Sequence, residues 1–451
     1  MLINEVENFP EGLVEQELWN RERWWYKLVH VCQRWRYLIL SSTSYLRLHL
    51  LCTYGTPVAD MLAHSPPLPI IIEHFVRHYG ITTKDKEGIV LALRHRDRVR
   101  STRLGMPFWT LQGLIEAIEG EFPILECFCI SSPAEDDAGL VLPKTFQAPL
   151  LRHLYLMNIA YPTKSPLLTT AINLSTLLFQ DIVPSAHFHP NDLQRLPLMP
   201  QLETLGINFC SPVHDRNFEG QLLHTPIMTR ATLPNLRWFG FRGVSADLEE
   251  FLPRMTAPFL RTLEIHFSNE LTFSVPHLQQ FVDTLECFRH HDAVLAFDKE
   301  VVRVAVGSLE DAMLDQRLSV TIECSQHDQQ LASAAQICNT LSAVFSEVEH
   351  LYLGYTKSLS SGWSNGARLT LWRELLRPFG KVKTLRVPFE LVWVLSRSLQ
   401  PEGEESPMEL LPELKLLECF GSCVSDLARD AFVAFINSRQ DAGHPVTWVH
   451  L

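Results

Sequence analysis

Apolar positions along most of the chain follow one recurring phrase: a leucine, two variable residues, an apolar residue, one variable residue and a further apolar residue. It reads Leu125-x-x-Phe128-x-Ile130, Leu151-x-x-Leu154-x-Leu156, Leu174-x-x-Leu177-x-Phe179, Leu202-x-x-Leu205-x-Ile207 and Leu236-x-x-Phe239-x-Phe241. It continues as Leu260-x-x-Leu263-x-Ile265, Val348-x-x-Leu351-x-Leu353, Val382-x-x-Leu385-x-Val387 and Leu414-x-x-Leu417-x-Cys419. Pro or Phe usually stands just upstream. The alternation that ends each phrase predicts a short strand. Successive copies start 23 to 34 residues apart, apart from one interval of 88. That interval holds Val302-Arg-Val304-Ala-Val306 and Leu318-Ser-Val320-Thr-Ile322, read as two degenerate copies. Apolar residues at helical spacing fill residues 110–119, 247–255, 276–289, 329–345 and 425–437. Alternating strand and helix predicts an α/β fold, an irregular leucine-rich-repeat solenoid with a curved parallel sheet and helices on its convex side. Ordinary leucine-rich α/β packing in a compact domain is the competing reading, because the period is irregular. The asparagine usual three residues past the last strand leucine is mostly missing; Cys210, three after Ile207, is the clean match.

The first fifty residues carry a different pattern. Trp19, Trp24, Trp25 and Trp35 are four of the ten tryptophans. Leu28, Val31, Cys32, Trp35, Leu38 and Ile39 recur at three- and four-residue steps and so share one face of a predicted helix. Ser41, Ser42 and Thr43 end it, and Leu46, Leu48 and Leu50 then alternate as in a strand. The apolar helix face has two readings, docking of another protein or packing against the first repeat as the cap that a solenoid end needs.

Composition narrows the function classes. A chain of 451 residues with 46% apolar and 20% charged residues exceeds one ordinary core and has the balance of a folded protein. No apolar run approaches the length of a membrane helix, and Glu5, Glu7, Glu11 and Glu15 dilute any leader pattern, so the cytoplasm or nucleus is the expected location. A net charge of −12 argues against general nucleic-acid or anionic-membrane binding. Arg94, Arg96, Arg98, Arg100 and Arg103 run against that trend and read as the solvated end of a helix. The ten cysteines show no paired spacing; Cys127-Phe-Cys129 and Cys419-x-x-x-Cys423 lack a second pair, so buried apolar roles are expected and a zinc site is not.

Catalytic chemistry leaves no trace. There is no glycine-rich phosphate loop, no Gly-x-Ser-x-Gly elbow and no His-Glu-x-x-His helix. His187-Phe-His189 and His290-His291-Asp292 lack an identifiable third ligand, and Asp136-Asp137 and the acidic run 402–405 read as exposed loops. No catalytic residue, metal or cofactor is expected. What remains is binding. In each repeat strand the residues between the core leucines face outward on the concave sheet, which singles out Tyr155, Trp238, Arg242, Glu264, His266, Tyr352 and Arg386 as partner-binding candidates. Loops covering Tyr155 and Trp238 are the alternative for those two.

The segment WWYKLVHVCQRWRYLI, with Val31-Cys32-Gln33-Arg34-Trp35-Arg36 at its centre, resembles the second half of an F-box. The continuation LRLHLLCTYGTPVADMLAHSPPLPIII, the stretch LALRHRDRVR and the phrases FPILECF, APFLRTLEI and PFGKVKTL look like the large F-box family of mushroom-type fungi. The resemblance implies a substrate receptor. Trp24, Leu28, Val31, Cys32 and Trp35 would dock a Skp-type adaptor within a cullin–RING ubiquitin ligase, and the repeats would hold a target protein for ubiquitin-dependent degradation. It divides the chain into an F-box-like segment 1–50, a connecting region 51–97 and a repeat region 98–451. The usual Leu-Pro-x-Glu opening is replaced by Phe9-Pro10-Glu11-Gly12-Leu13, so residues 9–18 read as an eroded first helix or the domain's start lies outside the chain. The alternative is a leucine-rich recognition or scaffold protein with a lapsed F-box.

Overall fold

The computed structural model describes residues 24–41, 48–75, 81–133, 140–160, 166–182, 199–209, 230–268, 274–307, 316–355, 366–399, 410–421 and 426–450. Residues 9–18, Leu46, Asp136-Asp137, His187-Phe-His189, Cys210, residues 402–405 and Cys423 lie outside them. The protein is α/β with mostly parallel strands, and it divides into two compact units: 1–210 with 233–235, and 211–232 with 236–451. No helix among the described residues is long and apolar enough to cross a membrane.

In the first unit the strands are β1 (Leu50–Cys52), β2 (Ile70–His74), β3 (Val99–Gly105), β4 (Cys127–Ser131), β5 (Leu140–Val141), β6 (His153–Met157), β7 (Ile159–Ala160), β8 (Thr176–Ile182) and β9 (Thr204–Phe209). The main sheet runs β1-β2-β3-β4-β6-β8-β9, with every pair parallel. Parallel strands therefore begin well upstream of the first leucine phrase. The register aligns the apolar positions across the sheet: Thr102, Phe128, Leu154, Leu177 and Leu205 form one buried row. Leu104, Ile130, Leu156, Phe179 and Ile207 form the next. Each fully buried leucine contributes roughly 1.5–3 kcal/mol.

A turn leads into several of the strands. The first leucine of the phrase closes back on a buried residue three positions earlier: Leu125 N–H donates to Phe122 O (3.3 Å), Leu151 to Ala148 O (3.1 Å) and Leu202 to Met199 O (3.1 Å). Pro123, Pro149 and Pro200 stand one residue into these turns. Proline fixes φ near the value that position needs, which explains the prolines just upstream of the leucines. Leu260 and Leu414 repeat the arrangement in the second unit, bonding to Ala257 O (3.2 Å) and Leu411 O (3.1 Å), with Pro258 and Pro412 in between.

The arginine-rich stretch is corrected. The helix Thr83–Arg94 stops at its first arginine, and Arg98 to Arg103 cross into β3. Val99, Thr102 and Leu104 turn inward; Arg100 pairs with Glu126 (3.0 Å) and Arg103 with Glu73 (3.6 Å) on neighbouring strands. Arg98 donates to the carbonyls of Leu68 (3.1 Å) and Pro66 (3.3 Å).

The second unit holds β10 (Ala231–Thr232), β11 (Trp238–Gly243), β12 (Met255–Thr256), β13 (Thr262–Phe267), β14 (Asp292–Phe297), β15 (Val301–Gly307), β16 (Gln316–Glu323), β17 (His350–Tyr355), β18 (Thr384–Pro388), β19 (Leu416–Phe420) and β20 (Thr447–His450). Its sheet order is β11-β13-β16-β15-β14-β17-β18-β19-β20. Here the reading of two degenerate parallel copies fails. β15 runs antiparallel to both β14 and β16, while β16 lies parallel to β13 and β14 parallel to β17. Only residues 298–300 join β14 to β15, far short of the dozen or more residues a parallel crossover needs, so the chain can only reverse. Helices His327–Thr340, Gly366–Leu376, Phe389–Ser398 and Asp426–Asp441 pack one against the next. Trp372, fully buried, sits 5.6 Å from the Phe297 ring.

Candidate protein-binding surfaces

The N-terminal segment forms two short helices, Trp24–Val29 and Gln33–Ser41, rather than the single helix its periodicity predicts. The first helix ends in tight i→i−3 bonds, His30 N–H to Lys27 O (3.3 Å) and Val31 N–H to Leu28 O (3.2 Å). Arg36 Nε then takes the freed Val29 carbonyl at 3.0 Å. The break splits the expected apolar face. Trp25, Val29 and Ile39 are buried and Leu28 is half-buried, whereas Cys32 is exposed along with Val31 (63%), Trp35 (47%) and Leu38 (52%). Trp25 was not among the candidate residues, although its four-residue step to Val29 is a helical signal.

The outward row of the first unit contains Arg103, Cys129, Tyr155, Leu178 and Gly206, in register. Tyr155 is half-buried, and its hydroxyl donates to Gln180 Oε1 at 2.6 Å. His153 Nδ1 lies 3.1 Å from Thr176 Oγ1. Burial, with Arg103 and Arg152 adding to it, holds the His153 imidazole below its ordinary pKa.

The candidates of the second unit fall into two groups on one sheet face. In the first, Trp238, Arg242, Glu264 and His266 come together on β11 and β13. Trp238 donates from Nε1 to Glu264 Oε1 (3.1 Å), and its indole lies across Gly240, where a Cβ would overlap the ring. Only 8% of the tryptophan stays exposed, so it offers a partner little surface. Arg242 Nη2 and His266 Nε2 both reach Glu323 Oε1, at 2.8 and 2.7 Å. Burial pushes His266 below its usual pKa, Arg242 and Arg303 push the same way, and the Glu323 carboxylate pulls back.

In the second group Tyr352 stacks on Phe420, with centroids 5.4 Å apart and planes within 8°. The Arg386 guanidinium carbon stands 5.7 Å from the Tyr352 ring centre and 5.5 Å from that of Phe420, with Arg386 Nε 3.9 Å from Glu418 Oε2. Both rings lie within cation–π distance of the guanidinium. Phe420 and Glu323 were not picked out in the sequence. Phe420 follows Glu418 by two and shares its face, a signal that was present; Glu323 lies on β16, whose pairing the sequence leaves unspecified.

Among the described residues no group of three or more histidine, cysteine or acidic side chains could hold a metal ion. The surfaces offer aromatic rings, guanidinium groups and paired carboxylates in the mixture that suits protein recognition. No protein-family model matches the chain, and neither does any curated protein sequence.

Proposed function

We propose that the chain is an F-box-type substrate receptor, without chemistry of its own, that joins a target protein to a Skp–cullin–RING ubiquitin ligase. The observation that carries this reading is the bare apolar surface at the N-terminal helices. Val31, Trp35 and Leu38 stay outside the core on a segment whose Val-Cys-x-x-Trp-Arg signature resembles the closing helix of an F-box. Exposed apolar clusters of this kind mark contact sites. The parallel strands, five of them introduced by an apolar–proline turn, are read as an irregular leucine-rich-repeat solenoid whose outward sheet face holds the target. A second reading, a recognition scaffold with a lapsed F-box, draws on the Phe9-Pro10-Glu11 opening in place of Leu-Pro-x-Glu. Capture of a recombinant Skp-type adaptor by the chain separates the two. The receptor reading expects binding that Val31→Asp with Trp35→Ala abolishes, and a folded chain that captures no adaptor leaves the scaffold.

A further inference from the structure

The antiparallel insertion of the second unit brings together groups that the regular repeats do not supply. Arg242, His266, Thr321 and Arg303 stand in one outward row on β11, β13, β16 and β15, each in register with the next. Ser319 lies two residues before Thr321 on the same face. Neither hydroxyl has a hydrogen-bond partner among the described residues, although each residue is more than nine-tenths buried. Arg303 is exposed and, among the described residues, has no carboxylate within ion-pair distance. The acidic groups nearby are engaged elsewhere: one oxygen of Glu323 serves both Arg242 and His266, and Glu264 accepts from Trp238. On its other side Arg303 is in register with Ala296, and Ala305 follows it on the same face, so small side chains leave its guanidinium open to an approaching group.

We infer that this trough receives carboxylate side chains of an acidic segment of the bound protein, with Arg303 as the principal donor and the Ser319 and Thr321 hydroxyls completing the cradle. The inference rests on reading the sheet face as the target-binding surface. Guanidinium and hydroxyl donors with unfilled hydrogen bonds are satisfied by carboxylate oxygens, and charge-assisted bonds of this sort are the strong ones. The chain's own Glu323 shows the preference of the place, since a carboxylate oxygen already sits 2.7–2.8 Å from an arginine and a histidine there. A net charge of −12 repels an acidic partner at long range, so the attraction is local and belongs to this cluster. His266 is faced by Arg242 from β11, Arg303 from β15 and Thr321 and Glu323 from β16, with Glu264 two residues away on its own strand. Its protonation adds a cation to the trough, so carboxylate binding strengthens as pH falls.

The test is fluorescence anisotropy of a labelled Glu-Ser repeat peptide, with the Gln-Ser repeat as its uncharged counterpart, on the full chain. Wild type is expected to bind the acidic peptide alone, and Arg303→Gln to weaken that binding about tenfold. Thr321→Val should weaken it by about threefold, and binding should tighten as pH falls from about 6.5 toward about 5, the side to which burial moves the His266 titration, unless His266 is replaced by Gln. Arg303 is exposed, so its variant should melt with the wild type. Equal affinity of wild type and Arg303→Gln, or equal binding of the two peptides, overturns the inference. Adaptor capture by the same preparations reads the ligase proposal alone and is expected to be the same for wild type and Arg303→Gln.

Discussion

Trp238 shows how a single neighbour sets the role of an outward residue. Its strand position points it away from the core, yet the ring folds down because Gly240, two residues on, has no side chain to hold it off. Gly240→Ala puts a methyl group where the indole lies and forces it off Glu264; a loss of about 1–2 kcal/mol is expected in urea denaturation. An unchanged midpoint would mean that the ring has somewhere else to go. His74 is the opposite case, a polar residue at an inward position. It sits in register with Leu104 on β3, 1% exposed, and among the described residues neither ring nitrogen has a hydrogen-bond partner. Burial pushes its pKa down from 6.5 to about 4, against the pull of the Asp85 carboxylate. The unfolded chain therefore takes up a proton at a pH where the folded chain does not. This part of the stability is complete above about pH 6.5 and is lost as pH falls toward about 4, amounting to about 3 kcal/mol. His74→Leu is expected to be more stable at acid pH and to flatten the stability profile between those limits. Parallel profiles for the two proteins would show that His74 does not titrate in the folded state as its burial requires.

At the scale of elements, the leucine phrase was legible because one short pattern encodes both a turn and a strand. All nine phrases end in strands of the main sheets, from β4 to β19. The helices expected at 110–119, 247–255, 276–289, 329–345 and 425–437 also form, the second, third and fourth continuing as a 3-10 turn or short helix after the main one. What was illegible is the direction of one strand, β15. Val302, Val304 and Val306 alternate inward whichever way the strand runs, and only the short 298–300 link makes β15 antiparallel. That missing register concealed Glu323, and with it half of the Arg242–His266 cluster. β3 was hidden because its outward arginines resemble a helix end, and β2 because an unbroken Ile70-Ile71-Ile72 run has no period to read. The N-terminal helices show a further limit: periodicity found the apolar residues but could not foresee that the break at residues 30–32 would sort them into buried and bare sets. That sorting has a measurable consequence. Val31→Asp with Trp35→Ala should cost no more than about 1 kcal/mol of thermal stability, because Val31 is mostly in solvent and Trp35 about half so. Trp25→Ala should cost about 3 kcal/mol, because its ring is in the core. Equal losses from the two would mean that the bare face is part of the fold.

For the whole molecule, the α/β architecture and the mostly parallel strands could be read from the sequence, and the outward candidates Arg242, Glu264, His266, Tyr352 and Arg386 proved to be organised by mutual contacts. The functional proposal draws on two surfaces of different character. One is the apolar N-terminal face, suited to a constant partner that buries Val31 and Trp35. The other is the mixed aromatic and charged sheet face, suited to a target read by specific pairs. Separate surfaces predict separable losses: substitutions on the sheet face should leave adaptor affinity unchanged, and substitutions on the N-terminal face should leave target binding unchanged.

The most direct measurement is isothermal titration of a recombinant Skp-type adaptor into the full chain and into the Val31→Asp, Trp35→Ala double variant. The receptor account predicts saturable one-to-one binding with a Kd of about 1 μM or tighter for the wild type, and no measurable heat for a variant that melts alongside it. No heat from a wild-type chain with an intact melting transition, or equal binding by the two proteins, would contradict it.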